Sequence, residues 1–277
     1  MVGTASAGWW GQFHSYPGVM GILNVTPDSF SDGGAYVGPA HAIAAGYEMA
    51  ASGAAIIDIG GESTRPGAPL IAPADEQARI LPVLNGLRDV GIPLSIDTRN
   101  ASTMAAALDA GATVVNDVSG LTHDPAAAAL VAAQGCPVVL MHMRGTPAIM
   151  TALAQYDDPV ADVVRELGYR IAAAQAIGVS LDRIAVDPGI GFAKDAAHNL
   201  AILRGLPALA ALDCMILVGL SRKRFIGLLS EAASGRDRDA GSLAAGLFAL
   251  SQGARVLRVH DVASTVRAVR VWQALTG

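Results

Sequence analysis

The sequence is short of charge, of aromatics and of cysteine. Charged residues make up 16% of its 277 positions and the net charge is −5. A general nucleic-acid binder needs a basic face or stripe, so none is expected. The two cysteines, Cys136 and Cys214, each stand near the start of an apolar run and have no CxxC partner. That pattern predicts free, part-buried thiols in a reducing compartment rather than a disulfide framework. No apolar stretch reaches the ~18 charge-free residues of a membrane span. The opening MVGTASAGWWGQFHSYPG has neither the basic nor the apolar segment of a secretory signal. A cytoplasmic chain without membrane or nucleic-acid partners is the expectation. The sequence also lacks three catalytic signatures. There is no GxGxxG after the first strand, no GxSxG elbow, and no HxH pair for a zinc hydrolase.

What it has is apolar bulk, 52% of residues, arranged in eight short runs. These are VMGILNV (19–25), AIIDIGG (55–61), LSID (94–97), TVVND (113–117), VVLMHM (138–143), IAVDPG (184–189), MILVGLS (215–221) and VLRVHDV (256–262). Continuous rather than alternating apolarity predicts strands buried on both faces, as in a parallel sheet. Between them the pattern is helical: 39–52, 73–90, 100–110, 124–134, 158–177, 195–212 (broken by Gly205 and Pro207), 224–233, 239–252 and 261–275. Most of these stretches stop at or just before a glycine, the usual loop chemistry of an α/β protein. The expected fold is therefore α/β, a single (β/α)8 TIM barrel with its active site at the C-terminal ends of the strands. Residues 1–17 read as an N-terminal extension and 18–277 as the barrel domain. Two βα loops, 24–38 and 60–73, are long and polar, which points to function.

Each strand delivers polar side chains at the same end. In order they are Asn24; Asp58, Glu62, Ser63, Thr64 and Arg65; Asp97 and Arg99; Asn116 and Asp117; His142 and Arg144; Asp187; Ser221 with the basic triplet 222–224; and Arg258, His260 and Asp261. One Asp after a strand is usually a helix cap; a full circle of such groups is harder to explain that way. Asp58, Asp97 and Asp187 follow apolar residues and should sit low in the barrel mouth, where an unpaired carboxylate is costly. A flat heterocycle with an N–H and an amino group would satisfy one bidentately, and Asn116 suits the ring's other edges. Arg65, Lys223, Arg258 and His260 on the same rim suit a phosphate or diphosphate. Asn24 beside diphosphate oxygens suits Mg2+, which keeps few protein ligands.

The motifs MGILNVTPDSFSDGG, IIDIGGESTRPG, SIDT, NDVSG, MHMRGTP, DPGIGFAK, GLSRKRFIG and RVHDV occur in this order. From about Val19 to its end the chain resembles the bacterial dihydropteroate synthases, barrel enzymes of folate synthesis and the target of sulfonamides. The resemblance implies a transferase that joins 4-aminobenzoate to 6-hydroxymethyl-7,8-dihydropterin diphosphate, releasing diphosphate with Mg2+ by a dissociative substitution. It also implies a homodimer. By motif, Asp97, Asn116, Asp187 and Lys223 would hold the pterin, with Met141 on its face. Asn24, Arg65, Arg258 and His260 would hold diphosphate, Asn24 also the metal. Phe30, Thr64, Arg65, Pro66, Phe192, Ser221 and Arg224 would form the aminobenzoate pocket. Asp97, Asp32, Arg65 and Lys223 would be the catalytic groups.

Two positions depart from the family. Arg224 stands where serine is usual, so the aminobenzoate carboxylate would meet either its guanidinium or backbone N–H groups. Ala193 stands where glycine is common. Two other readings use the same barrel. A methyltetrahydrofolate–corrinoid methyltransferase would not need the TPDSF, STRPG and RVHD segments. A silent pterin-binding paralogue would be expected to lose Asn24, Arg65, Lys223 or His260, all of which are present.

Overall fold

The computed structural model describes residues 8–26, 38–64, 67–68, 70–233 and 235–276. Eight parallel strands close in chain order into a barrel, β8 pairing with β1. They are β1 (Gly18–Asn24), β2 (Ile56–Gly60), β3 (Leu94–Asp97), β4 (Val114–Asp117), β5 (Val138–Met141), β6 (Ile184–Asp187), β7 (Met215–Gly219) and β8 (Val256–Val259). The helices are α1 (Pro39–Ala51), α2 (Pro73–Gly86), α3 (Ala101–Asp109), α4 (Ala127–Gln134), α5 (Pro159–Ala176), α6 (Ala196–Arg204), α7 (Arg224–Ser230), α8 (Asp239–Ser251) and α9 (Val262–Thr276). Among the described residues no helix is long and apolar enough to cross a membrane.

Helix boundaries differ from the sequence expectation at capping acids and at the C-terminal ends of α2 and α7, which stop at Gly86 and Ser230 rather than at 90 and 233. Asp158 and Asp195 lie just outside α5 and α6. Asp158 accepts the N–H groups of Val160 and Ala161, and Asp195 that of His198. A short acid gains more from the orphan donors of the first turn than from continuing the helix. The 195–212 stretch breaks at Gly205, and Leu206–Leu212 continues as a 3-10 turn, because Pro207 lacks the N–H an α-helix needs.

Strand periodicity builds the interior. Ile57, Ile59, Ile96 and Val115 pack outward under the helices. Met20, Ile56, Val114, Val139, Ala185, Met215, Leu217 and Val256 fill the barrel. A short 3-10 turn, Trp9–Phe13, closes the bottom: Trp10 and Phe13 join the interior cluster, and the Trp10 indole N–H donates to Arg183 O at 2.8 Å. One pleat repeat above this apolar plug come Asp58, Asp97, Asn116, Met141, Asp187 and Arg258. The register sets Asp97 beside Asn116, Met141 beside Asp187, and Gly219 beside Arg258. Both cysteines are free, Cys136 buried and Cys214 partly so.

Candidate active site

Arg258 reaches from β8 past β1 to the acids of β2 and β3. Its Nε donates to Asp58 Oδ2 and its Nη2 to Asp97 Oδ2, both at 2.6 Å. Asn116 Nδ2 donates to the same Asp58 oxygen at 2.9 Å, which leaves the Asn116 carbonyl oxygen and the second amide N–H for the mouth. Asp58 is fully buried, and its Oδ1 has no partner among the described residues. Burial raises the Asp97 carboxyl above the usual range; Arg258 pulls it back and Asp58 pushes it further up. Burial works to lower the Arg258 value, but Asp58 and Asp97 outweigh it and hold the guanidinium firmly charged.

The second half of the site faces these acids. Asp187 Oδ1 accepts the Gly189 N–H at 2.7 Å, and burial raises its carboxyl against that bond and the nearby Lys223. Lys223 precedes the first turn of α7 and places Nζ 4.1 Å from the centre of the Phe192 ring. Burial lowers the lysine to about 8, with Asp187 opposing. Gly191, at φ +82°, allows this approach, since a Cβ there would lie 3.1 Å from Lys223 Cδ. Met141, Phe192 and Ala193 share an apolar cluster with Val118, Met143 and Met150. Ser221 Oγ accepts the His260 N–H at 3.2 Å and lies 3.0 Å from His260 Nδ1. Burial pushes the His260 ring down to about 3, so it is neutral at physiological pH.

Asn24 and Asp97 flank Gly60, where a Cβ would lie 3.8 Å from Asn24 Oδ1 and 3.6 Å from Asp97 Oδ2. Thr64 is part-buried at the start of loop 2, and Arg224 is exposed at the first position of α7. Phe30, Asp32, Arg65 and Pro66 lie outside the described residues. Among the described residues no group of three or more His, Cys, Asp or Glu could hold a metal ion.

Several strand-end groups serve the scaffold instead. Asp117 accepts from Ser119 and Leu121, and Asp261 from the Ser264 N–H. Arg99 pairs with Glu62 at 2.9 Å, both nearly buried, and so braces loop 2. Arg144 pairs with Glu166 and lies 4.0 Å from the centre of the Tyr156 ring. Arg222 is held by Asp239 at 2.7 Å. Two buried groups beside the mouth have partners that the sequence does not show. The charge on Asp58 was visible there, but its pairing with Arg258 spans 200 residues. Lys194 stands inside the DPGIGFAK motif with nothing local to mark it.

The model of the pterin binding enzyme family matches residues 20–260. A dihydropteroate synthase of Mycobacterium leprae is 46% identical, over 91% of this chain and 91% of its own length. Among solved structures, a Xanthomonas albilineans dihydropteroate synthase with 4-aminobenzoic acid superposes with a TM-score of 0.89 at 48% identity, covering 94% of this chain and 93% of that one. The same organism's enzyme in complex with 7,8-dihydropteroate gives 0.85 at 45% identity, covering 94% of each chain. The barrel, the acid–amide–arginine layer in its mouth and these matches converge: the chain belongs to the pterin-binding enzyme family and, within it, to the dihydropteroate synthases, the transferases of folate biosynthesis.

Proposed function

We propose that the barrel mouth condenses 6-hydroxymethyl-7,8-dihydropterin diphosphate with 4-aminobenzoate to give 7,8-dihydropteroate and diphosphate. The observation that carries this reading is the interior layer itself, in which Asp97, Asn116, Asp187 and Arg258 surround one cavity mouth beside Lys223. Asp187, held by one backbone N–H, offers its other oxygen to the pterin amino and ring N–H groups. Asn116 offers its carbonyl oxygen, Lys223 its ammonium to a ring acceptor, and Met141 an apolar face.

The bond from the pterin methylene to the diphosphate oxygen breaks first, and the electron pair leaves with diphosphate. Asp97, and Asp32 from loop 1, stabilise the delocalised pterin cation. Arg258 spends only two of its five donor hydrogens on Asp58 and Asp97, leaving the rest for the departing anion. Arg65 and the neutral His260 add donors there; a Ser221 hydroxyl donating to Nδ1 leaves the ring proton on Nε2. The aminobenzoate nitrogen then attacks the methylene and loses a proton. Phe30, Thr64, Arg65, Pro66, Phe192, Ser221 and Arg224 enclose this second substrate and exclude water. Asn24 would hold Mg2+: one neutral amide oxygen, with no carboxylate cluster among the described residues, fits an ion that takes its other ligands from waters and phosphates. Bound there, Mg2+ supplies charge to the leaving group. A cytoplasmic homodimer is part of this reading.

Diphosphate release should require the pterin diphosphate, 4-aminobenzoate and Mg2+ together. No release with all three present would overturn the reading. Asp187→Ala should weaken pterin binding by at least about 100-fold, the scale of losing a charge-assisted pair of hydrogen bonds. Titration calorimetry with the bare pterin reads this directly.

A further inference from the structure

Lys194 is almost wholly buried, 9% exposed, and the reaction does not use it. Its Nζ lies 2.9 Å from Phe192 O and 2.9 Å from His142 Nδ1. His142 is fully buried, and its Nε2 lies 3.0 Å from Glu166 Oε2 on α5. These contacts form a chain with one direction. Burial lowers Lys194 to about 7, with Asp187 opposing, and both its ammonium and its neutral amine have N–H groups to donate to the carbonyl and to Nδ1. The imidazole must then carry its own proton on Nε2 and donate it to Glu166. The charge states agree. Burial holds His142 down at about 4, so the ring is neutral. Burial works to raise Glu166, but His142 and Arg144 outweigh it and hold the acid at about 2.

Within the segment this chain grips, one backbone bond closes a turn, the Phe192 N–H donating to Gly189 O at 3.0 Å. Gly189, Gly191 and Ala193 all have left-handed backbone, at φ +68°, +82° and +48°. Ala193 pays a steric penalty there that glycine would not. Each turn is pinned from outside: Gly189 N–H by Asp187 Oδ1 and Gly191 N–H by Asn199 Oδ1, both at 2.7 Å, and Phe192 O by Lys194. Lys194 therefore closes the last of three anchors. The residue it fixes carries the ring that faces Lys223.

We propose that Lys194 is a positioning residue: with His142 and Glu166 it ties residues 189–193 to α5 and so sets the Phe192 ring against the Lys223 ammonium. The consequence for substrate rests on the assignment of Phe192 to the aminobenzoate pocket. Lys194 acts on the second substrate through Phe192 and touches no reacting atom.

The test is Lys194→Met in the full chain, read by crystal structure and by steady-state kinetics. The Phe192 ring should leave Lys223. The KM for 4-aminobenzoate should rise about 10-fold while kcat falls less than about 3-fold. Adding Lys194→Met to Phe192→Ala should raise that KM no further. A Phe192 ring still seated on Lys223 in the variant overturns the proposal, whatever the kinetics. So do KM effects of the two substitutions that multiply. A displaced ring with unchanged aminobenzoate KM supports the positioning role and instead overturns the assignment of Phe192. If Lys194→Met does not fold, Lys194→Gln, whose stem is one atom shorter and draws its NH2 group back from Phe192 O and His142 Nδ1, is read by the same measurements against the same outcomes.

Discussion

Arg258 answers to three carboxylates, and its charge sets how they behave. Asp58 and Asp97 share its guanidinium, and Asp187 adds to the field that keeps it protonated. Asp97 still titrates high because burial outweighs the arginine and the Asp58 charge adds to it. The sign for stability follows. A folded-state carboxyl above its usual 3.8 holds a proton that the unfolded chain has lost, so the stability it contributes is lost as pH rises through that window. For catalysis the ionised form is the useful one, so kcat/KM should fall on the acid side at a pH above the ordinary carboxylate range. Asp58→Asn removes one of the charges that raise Asp97. Its acid limb should shift to lower pH in a profile of kcat/KM, and an unshifted limb would break the proposed link. Asp58 and Asp97 were legible as buried acids from the apolar residues before them. Their division of one arginine was not, because β8 lies far from β2 and β3 in the chain.

At the scale of elements, the join from β7 to α7 explains three consecutive cations in an acidic protein. Each meets a different fate. Arg222 sits at φ +59°, a conformation few non-glycine residues adopt, and is held there on all sides. Its N–H donates to Ser242 Oγ at 2.9 Å, its guanidinium grips Asp239 at 2.7 and 2.8 Å, and its carbonyl accepts from Arg238. Lys223 turns into the mouth, and Arg224 stays exposed at the helix start. Arg222→Ala should cost about 1–2 kcal/mol in urea unfolding, because the bidentate pair is only partly exposed. Asp239→Asn should cost less on top of it than alone, since the two share one interaction. The Glu62–Arg99 brace is more deeply buried, so Arg99→Ala should cost about 3 kcal/mol by stranding a carboxylate. Sequence alone could not separate Arg99, Arg144 and Asp117 from the site residues. The end of a barrel strand is where both loop braces and functional groups stand, and only the partner tells them apart.

Across the whole molecule the two barrel ends divide the work. The bottom is an apolar plug sealed by Trp10 and Phe13, and the top carries the chemistry. Trp10→Ala removes a buried indole and its hydrogen bond to Arg183 O, so it should cost about 3–5 kcal/mol in thermal or urea unfolding. Its kcat and KM at temperatures where it remains folded should match the parent, because the plug lies a full layer below Asp58 and Asp97. A large change in KM would mean that the bottom seal controls the shape of the mouth.

The sequence by itself determined the barrel and the end of it that works. Eight continuous apolar runs demand strands buried on both faces. A period of two places a polar residue one repeat above the apolar filling in strand after strand, as Ile56 and Asp58, Val114 and Asn116, and Val256 and Arg258 show. Only the tertiary structure decided who pairs with whom. That Arg258 belongs to Asp58 and Asp97, that Arg222 belongs to α8, and that a buried lysine in a glycine-rich loop leans on a histidine just past β5 and a glutamate from α5 are matters of distance in space. Hydrophobic periodicity is local and survives in one dimension. The energy of a buried charge depends on partners that only ring closure brings within 3 Å.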